Sequence, residues 1–328
     1  MKGEVLKALR ETDGYISGQE LCDRFAVSRT AIWKVIHQLK EEGYEIEAVR
    51  NKGYHMTENR GLDVLNKQAI QSHMTTQVLG SEVVYFEETD STNIQAKVLA
   101  EKNSANGMLI VADMQNAGKG RRGRRWESPS GTGIFMSLLL RPKFSPQKAS
   151  MLTLVMAQAV AKVLRETLGL EAGIKWPNDI VVNGKKVCGI LTEMSTEIDY
   201  INYVVVGIGI NANVEAFPEE IRNMATSLKL EKGETILRAK LIADIVATFE
   251  ILYQKFEYEQ NLLFLQAEYN TMLVNIGKQV RVLEPGNEYE AKAQGINEVG
   301  ELVVEKETGE VIAVYAGEVS VRGLYGYV

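Results

Sequence analysis

A chain of 328 residues has the length of two or three domains and ample material for a core. With 45% hydrophobic and 24% charged residues it has the balance of globular domains, which excludes bulk disorder. Its formal net charge of −6 means that any anion it collects must be met by a local cluster of cations.

The N-terminal stretch MKGEVLKALRETDG lacks the apolar run of a signal peptide. EVLKALR is apolar at Val5, Leu6 and Leu9, a helical spacing. Ser17 and Glu20 form a capping box that opens a short second helix. Ser28 is an N-cap for a third, with Ile32, Val35, Ile36 and Leu39 on one face and Gly43 near its end. YEIEAVRNKGYHM alternates and turns at Asn51, Lys52 and Gly53, as a hairpin does. Two helices, a tight turn and a hairpin are the parts of a winged helix-turn-helix, whose second helix lies in the major groove. Arg29, Thr30, Trp33, Lys34 and His37 fall opposite the apolar face, and the wing adds Lys52. Residues 1–65 hold ten Lys/Arg against eleven Asp/Glu, so only one face is basic. A small helical protein-interaction module fits the same pattern.

From about residue 66 to 272 strands and helices mix. Ser145-Pro146 opens a long helix that Gly169 closes, and Asn183-Gly184 is a two-residue hairpin turn. YVVVGIGI, at 203–210, is far too short to span a bilayer. From 273 on, five short strands with turns at Pro285-Gly286, Gly300, Gly309 and Gly317 suggest a small barrel.

Two cysteines, Cys22 and Cys188, are too few for a disulfide framework or a zinc site, and a reducing cytoplasm is the expected location. The three histidines all precede residue 74, so a Ser-His-Asp or Cys-His hydrolase is not expected beyond it. Chemistry there must run on lysine, arginine, carboxylates, amides and backbone.

AGKGRRGRRWESPSGTG, at 117–133, packs five cations into residues 119–125. Gly118, Gly120 and Gly123 match a dinucleotide-binding pattern, but no helix follows and the later ribose-binding acid is missing. A solvated basic loop, a nucleic-acid contact and a loop folding over a compact anion remain as readings, and the glycine and arginine density favours the last. In VVVGIGINAN, Gly207, Gly209 and Asn211 share one parity, giving a nearly bare strand face open to a flat ligand. Lys185 and Lys186 point to opposite faces. One of them lies on the side of Cys188 and Ile190 and needs an anionic partner.

ETDSTN (88–93), QNAGKGRRGRRW (115–126), KWPNDI (175–180), GKKVCGIL (184–191) and GIGIN (207–211), in that order and spacing, resemble the biotin protein ligases of the bifunctional, repressor type. The resemblance covers essentially the whole chain. It implies an α+β multidomain protein: a winged helix-turn-helix (1–65), a central α/β ligase domain with a mixed sheet like that of class II aminoacyl-tRNA synthetases (66–272), and a C-terminal SH3-like small β-barrel (273–328). It implies an ATP-dependent ligase that joins biotin to the lysine of a biotin carboxyl carrier protein through biotinyl-5′-adenylate. The adenylate would also act as corepressor, promoting a homodimer that binds operator DNA. A ligase with a vestigial winged helix and a ligand-sensing repressor without catalysis are the competing readings.

By motif, Ser91, Thr92, Asn93 and Gln115 would hold the ureido end of biotin. Lys119, Gly120 and Arg121 would line the loop over the ligand, Lys186 would meet the carboxylate or acyl-phosphate, and Gly189 would allow close packing. Trp126, Asn178, Asn211 and Arg322 would lie on the nucleotide side. Lys186, Arg121 and Asp179 are the expected catalytic residues, with Asp179 helping to hold the Mg²⁺ that accompanies ATP. Lys119 departs from the arginine common in the family: it keeps the charge but lacks the planar fork.

Overall fold

The computed structural model describes residues 1–57, 63–284, 287–315 and 320–323; the turns expected at Pro285-Gly286 and Gly317 lie outside these. The chain forms two compact units, Met1–Thr75 with Glu234–Asp244, and Thr76–Gly233 with Ile245–Val328.

The first unit contains α1 (Lys2–Glu11), α2 (Gly18–Phe25), α3 (Arg29–Glu41), the strands β1 (Ile46–Val49) and β2 (Gly53–Met56), and α4 (Lys67–His73). Both expected caps form: Ser17 Oγ accepts from Glu20 N at 3.0 Å and Ser28 Oγ from Ala31 N at 3.2 Å. Val5, Leu6, Leu9, Leu21, Ile32, Val35, Ile36 and Leu39 share one core. β1 and β2 pair as the wing, and Ile16 bridges to Tyr54 beside it. Gly53 has φ +114°, and a Cβ there would fall on the Ile16 backbone, so this close approach requires glycine. Arg10 of α1 bonds His73 of α4. Burial, then the charges of Arg10 and Lys240, hold His73 down at about 4, so at neutral pH its uncharged ring can accept from the guanidinium.

The second unit is built on a mixed seven-stranded sheet, ordered β3-β4-β5-β9-β8-β7-β6. Its strands are β3 (Val83–Thr89), β4 (Met108–Gln115), β5 (Gly133–Leu140), β6 (Ala172–Lys175), β7 (Asp179–Val182), β8 (Lys185–Thr196) and β9 (Ile201–Asn211). β3 and β4 are parallel, joined through α5 (Thr92–Glu101). The other neighbours are antiparallel. Ala96 and Ala100 of α5 pack on Ile110, Leu139 and Val205, so α5 lies on one sheet face. The expected opening of the long helix at Ser145-Pro146 is only a 3-10 turn at Pro146–Lys148; α6 (Met151–Leu168) starts after it and is closed by Gly169 at φ 66°.

The helices α7 (Leu228–Lys232), α8 (Arg238–Glu259) and α9 (Leu263–Met272) follow, α8 counting with the first unit as far as Asp244. The last strands are β10 (Gln279–Glu284), β11 (Asn287–Ile296), β12 (Leu302–Glu305), β13 (Val311–Val314) and β14 (Ser320–Gly323). They form an antiparallel sheet ordered β13-β12-β11-β10-β14. Among the described residues no helix is long and apolar enough to cross a membrane.

Candidate active site

The site lies on the sheet face that α5 covers. Strand alternation puts Gly189, Leu191 and Glu193 of β8 and Gly207, Gly209 and Asn211 of β9 on one face. Cross-strand register places Asp179, Gly189, Gly209 and Phe135 in one row over four strands, and Leu191, Gly207 and Ser137 in the next. Glycines at the centre of both rows leave the backbone bare.

The bare strip is covered by the protein's own side chains. A Cβ at Gly209 would come within 2.7 Å of the Trp126 indole, and one at Gly189 within 3.1 Å of both that ring and Lys186 Nζ. A Cβ at Gly207 would collide with the Asn93 amide. The flat group on the strip is therefore Trp126. Replacing Gly209 by Ala should push the indole off, at a stability cost of about 1–3 kcal/mol from overpacking. In a Trp33→Phe background, the emission of the Gly209→Ala protein should shift to longer wavelength and become more quenchable by acrylamide. An unshifted spectrum would show that the ring does not rest there.

The hairpin at Asn183-Gly184 forms with both residues at positive φ. Just past it the ladder slips: Ile180 pairs with Cys188 but Val181 with Lys186, leaving Val187 as an extra residue. Simple alternation put an inward lysine on the Cys188 side. The bulge resets the parity and brings Lys186 to the glycine face, 2.5 Å from Asp179 Oδ1 and 5.3 Å over the Trp126 ring. Cys188 stays fully buried on the other face, where desolvation pushes its thiol up and keeps it inert.

The basic loop is a closed hairpin. Trp126 N donates to Gly118 O at 2.9 Å and Gly120 N to Arg124 O at 2.7 Å. A Cβ on Gly118 would fall 2.5 Å from the Trp126 carbonyl, so close backbone approach explains this glycine. Arg121 reaches Asn178, its Nη1 3.0 Å from Oδ1. Burial lowers the pKa of Arg121, as do Arg122 and Arg124, against the pull of Asp179. Asp179 therefore stands among Lys186, Arg121 and Asn178 in one anion-seeking cluster. Lys119 is exposed, close enough to Glu193 for its charge to act there.

Beside this cluster, at the N-terminus of α5, lies a polar group. Gln115 Oε1 accepts from Thr92 N at 2.8 Å, and Gln115 Nε2 donates to Ser128 Oγ at 3.0 Å. Ser137 Oγ lies 2.8 Å from Thr92 Oγ1 and 2.6 Å from Asn93 Oδ1. Ser91 is buried, and its hydroxyl does not cap the helix. Asn211 Nδ2 donates to Thr226 O at 3.1 Å, tying the strand end to the segment after the 212–224 loop. Arg322 sits opposite Arg281 in the β10–β14 ladder, and its side chain lies outside the described residues.

The structure thus brings together Ser91, Thr92, Asn93 and Gln115 as one group, and Gly120, Arg121, Trp126, Asn178, Asp179, Lys186 and Gly189 as another. Sequence reasoning missed Ser137, Ser128 and Glu193. The parity of Glu193 with Gly189 was a usable signal for its face, whereas Ser137 is found only through cross-strand register. Among the described residues no group of three or more His, Cys, Asp or Glu could hold a metal.

In the first unit Arg29, Thr30, Trp33, Lys34 and His37 are all exposed on α3, with the Trp33 and His37 rings 5.4 Å apart. Lys52 is exposed on the wing, its Nζ 5.6 Å from the Tyr15 ring.

Lys186 and Arg121 thus form a cationic cluster around Asp179 on a glycine strip, beside a buried polar group, an arrangement suited to an anionic ligand. The Biotin/lipoate A/B protein ligase family matches residues 85–211, an HTH domain matches 3–55, and the Biotin protein ligase C terminal domain matches 276–322. The chain is 40% identical to the bifunctional ligase/repressor BirA of Bacillus subtilis, over 93% of each chain. It is 30% identical to the Escherichia coli protein of the same description, over 97% of this chain and 96% of that one. The biotin protein ligase of Aquifex aeolicus in complex with biotin and ATP superposes with a TM-score of 0.65 at 30% identity, covering 74% of this chain and 99% of that one. This chain belongs to the biotin protein ligase family, and it carries the N-terminal helix-turn-helix domain as well.

Proposed function

We propose that the chain is an ATP-dependent biotin–protein ligase that also acts as a DNA-binding repressor. The observation that carries the catalytic reading is the bulge that sets Lys186 on the glycine strip, beside Asp179 and over Trp126. In the first step a biotin carboxylate oxygen attacks the α-phosphorus of ATP. The bond to the bridging oxygen breaks and pyrophosphate leaves, giving a mixed anhydride. In the second step a lysine amine of a biotin carboxyl carrier protein attacks the acyl carbon; AMP leaves, an amide forms and a proton is released.

A carboxylate is already a nucleophile at neutral pH, so the first step needs charge neutralisation more than a general base. Lys186 meets the biotin carboxylate and Arg121 the phosphate oxygens. Gly120, Lys119 and Arg121 close the loop over the intermediate and keep water from the anhydride. Ser91, Thr92 and Gln115 bind the urea end, and Gly189 gives the ligand its close approach. Trp126, Asn178, Asn211 and Arg322 serve the nucleotide. The Trp126 indole N–H is buried without a hydrogen-bond partner among the described residues, a donor left for a ligand. Asp179 fits an Mg²⁺ that arrives with ATP, since this ion commonly takes one or two carboxylates plus substrate phosphates. When bound it supplies further positive charge at the phosphates.

The exposed α3 residues and Lys52 form the operator-binding face, and a homodimer promoted by the adenylate presents two of them. A cytoplasmic location fits all these partners. Biotin-dependent exchange of labelled pyrophosphate into ATP tests the enzymatic core of this reading. Robust exchange only when biotin is present is expected, and exchange that ignores biotin would refute it.

A further inference from the structure

We infer that Glu231 is a positioning residue for Lys186: from α7 it buckles together two chain segments that hold the lysine in place. This rests on the reading of Lys186 as the group that meets the biotin carboxylate.

Lys186 stands past the end of one ladder and beside the slip in another. The β8–β9 ladder stops at Cys188 and Ile210, so β9 does not flank the lysine. Toward β7 the extra residue Val187 interrupts the pairing. The place of β9 is taken by residues 224–226, where Ala225 bridges to Lys186 in parallel. Lys186 N donates to Met224 O at 2.8 Å, and Thr226 N donates to Lys186 O at 3.0 Å. A residue has one backbone N–H to give, and Lys186 spends it on this segment. The bulge that turns the ammonium toward the glycine strip is thus framed by residues 224–226, and a shift of the segment moves the lysine.

Glu231 ties that frame to the turn before it. Its Oε1 accepts from Thr226 Oγ1 at 2.6 Å and its Oε2 from Asn183 Nδ2 at 2.6 Å. Thr226 is 4% exposed, so its bond to the carboxylate is shielded from water. Asn183, at φ 50°, belongs to the turn from which β8 starts. Glu231 is itself placed by Ser227, whose hydroxyl caps α7 at Leu230 N and whose carbonyl accepts from Glu231 N at 3.1 Å. Asn211 also bonds Thr226 O and fastens the segment to the end of β9. That tie does not reach the turn at Asn183; Glu231 does.

A plainer reading of the acid is electrostatic. Glu231 lies in the first turn of α7, where negative charge suits the helix dipole. Glutamine separates the two readings. Its oxygen can accept from Asn183 while its NH₂ donates to the Thr226 hydroxyl, which keeps the bridge and removes the charge.

The test is single-turnover adenylate formation by full-length protein at saturating biotin and ATP. Glu231→Ala should slow it roughly 10-fold, since misplacing a reacting group by about 1 Å can cost up to about 10²-fold. Glu231→Gln should stay within about threefold of the parent, because both bonds can persist. In a Lys186→Ala background Glu231→Ala should cost no more than about twofold, because the group it positions is gone. A merely structural role, or one exerted through Asn211 on the nucleotide, gives the same loss in both backgrounds and overturns the inference. So does a parental rate for Glu231→Ala, or a glutamine variant as slow as the alanine one. Should Glu231→Ala not fold, Thr226→Val and Asn183→Gly remove the two arms separately, glycine being at ease at positive φ. Each should slow adenylation about 3- to 5-fold, and parental rates in both would overturn the inference. A parental rate for Lys186→Ala alone is a distinct result: it removes the lysine from the chemistry and strikes at the proposed function.

Discussion

Lys186→Ala is expected to slow formation of the acyl-adenylate by roughly 10²–10³-fold, the effect of losing about 2–4 kcal/mol of charge-assisted stabilisation in a closed site. Two negative groups, a carboxylate and an α-phosphate, must approach during attack. Lys186 stands at the glycine strip where they would meet, with Asp179 Oδ1 at 2.5 Å as its partner. Removing the ammonium leaves Asp179 with less compensation and adds repulsion to the same place. Folding should survive, because Lys186 is only partly buried and its backbone bonds to Met224 and Thr226 do not depend on the side chain. Single-turnover adenylate formation, followed beside thermal unfolding, measures both effects. A variant that folds and forms adenylate at the parental rate would remove Lys186 from the chemistry.

The second large effect is expected on DNA. One winged helix has no basic excess over residues 1–65, so one copy should bind weakly, since nonspecific affinity comes mainly from neutralised phosphates. Two copies on a two-half-site operator gain effective concentration, worth roughly 10²–10⁴ in apparent affinity. Biotin with ATP, but not biotin alone at the same concentration, should therefore increase both the dimer fraction and operator affinity, the latter by up to that factor. Arg29→Ala should weaken operator binding and leave biotin-dependent pyrophosphate exchange intact, because Arg29 is exposed on α3, where it bonds only Gln19 among the described residues. Sedimentation and footprinting of full-length protein, with and without the two substrates, provide the measurement. Equal dimer fractions and equal footprints in both states would uncouple the winged helix from the ligand.

Much of the architecture was legible because it is encoded locally. The caps at Ser17 and Ser28, the apolar face of α3 and the Asn183-Gly184 turn depend on residues within a few positions of one another. The site was harder. Alternation correctly placed Gly207, Gly209 and Asn211 on one bare face, yet it put an inward lysine on the side of Cys188. One extra residue, Val187, reverses the parity, and a bulge has no signature in KKVCGIL that simple alternation can detect. The bare face was expected to await a ligand; it is covered by Trp126, delivered by a loop more than 60 positions earlier in the chain than Gly189.

The sequence by itself determined the order of the elements, the residue types available for chemistry and the exclusion of histidine-based catalysis from most of the chain. It also carried the motif order that marks the family. These are properties of neighbouring residues and of composition, and they exist before the chain folds. Only the tertiary structure decided which groups meet. Glu193, Asn93, Ser137 and Thr92 come from two strands and a helix start, and sheet register alone brings them within hydrogen-bond distance. No residue in that group has its place written in its neighbours, because a hydrogen bond depends on separation in space, and folding makes that separation nearly independent of distance along the sequence.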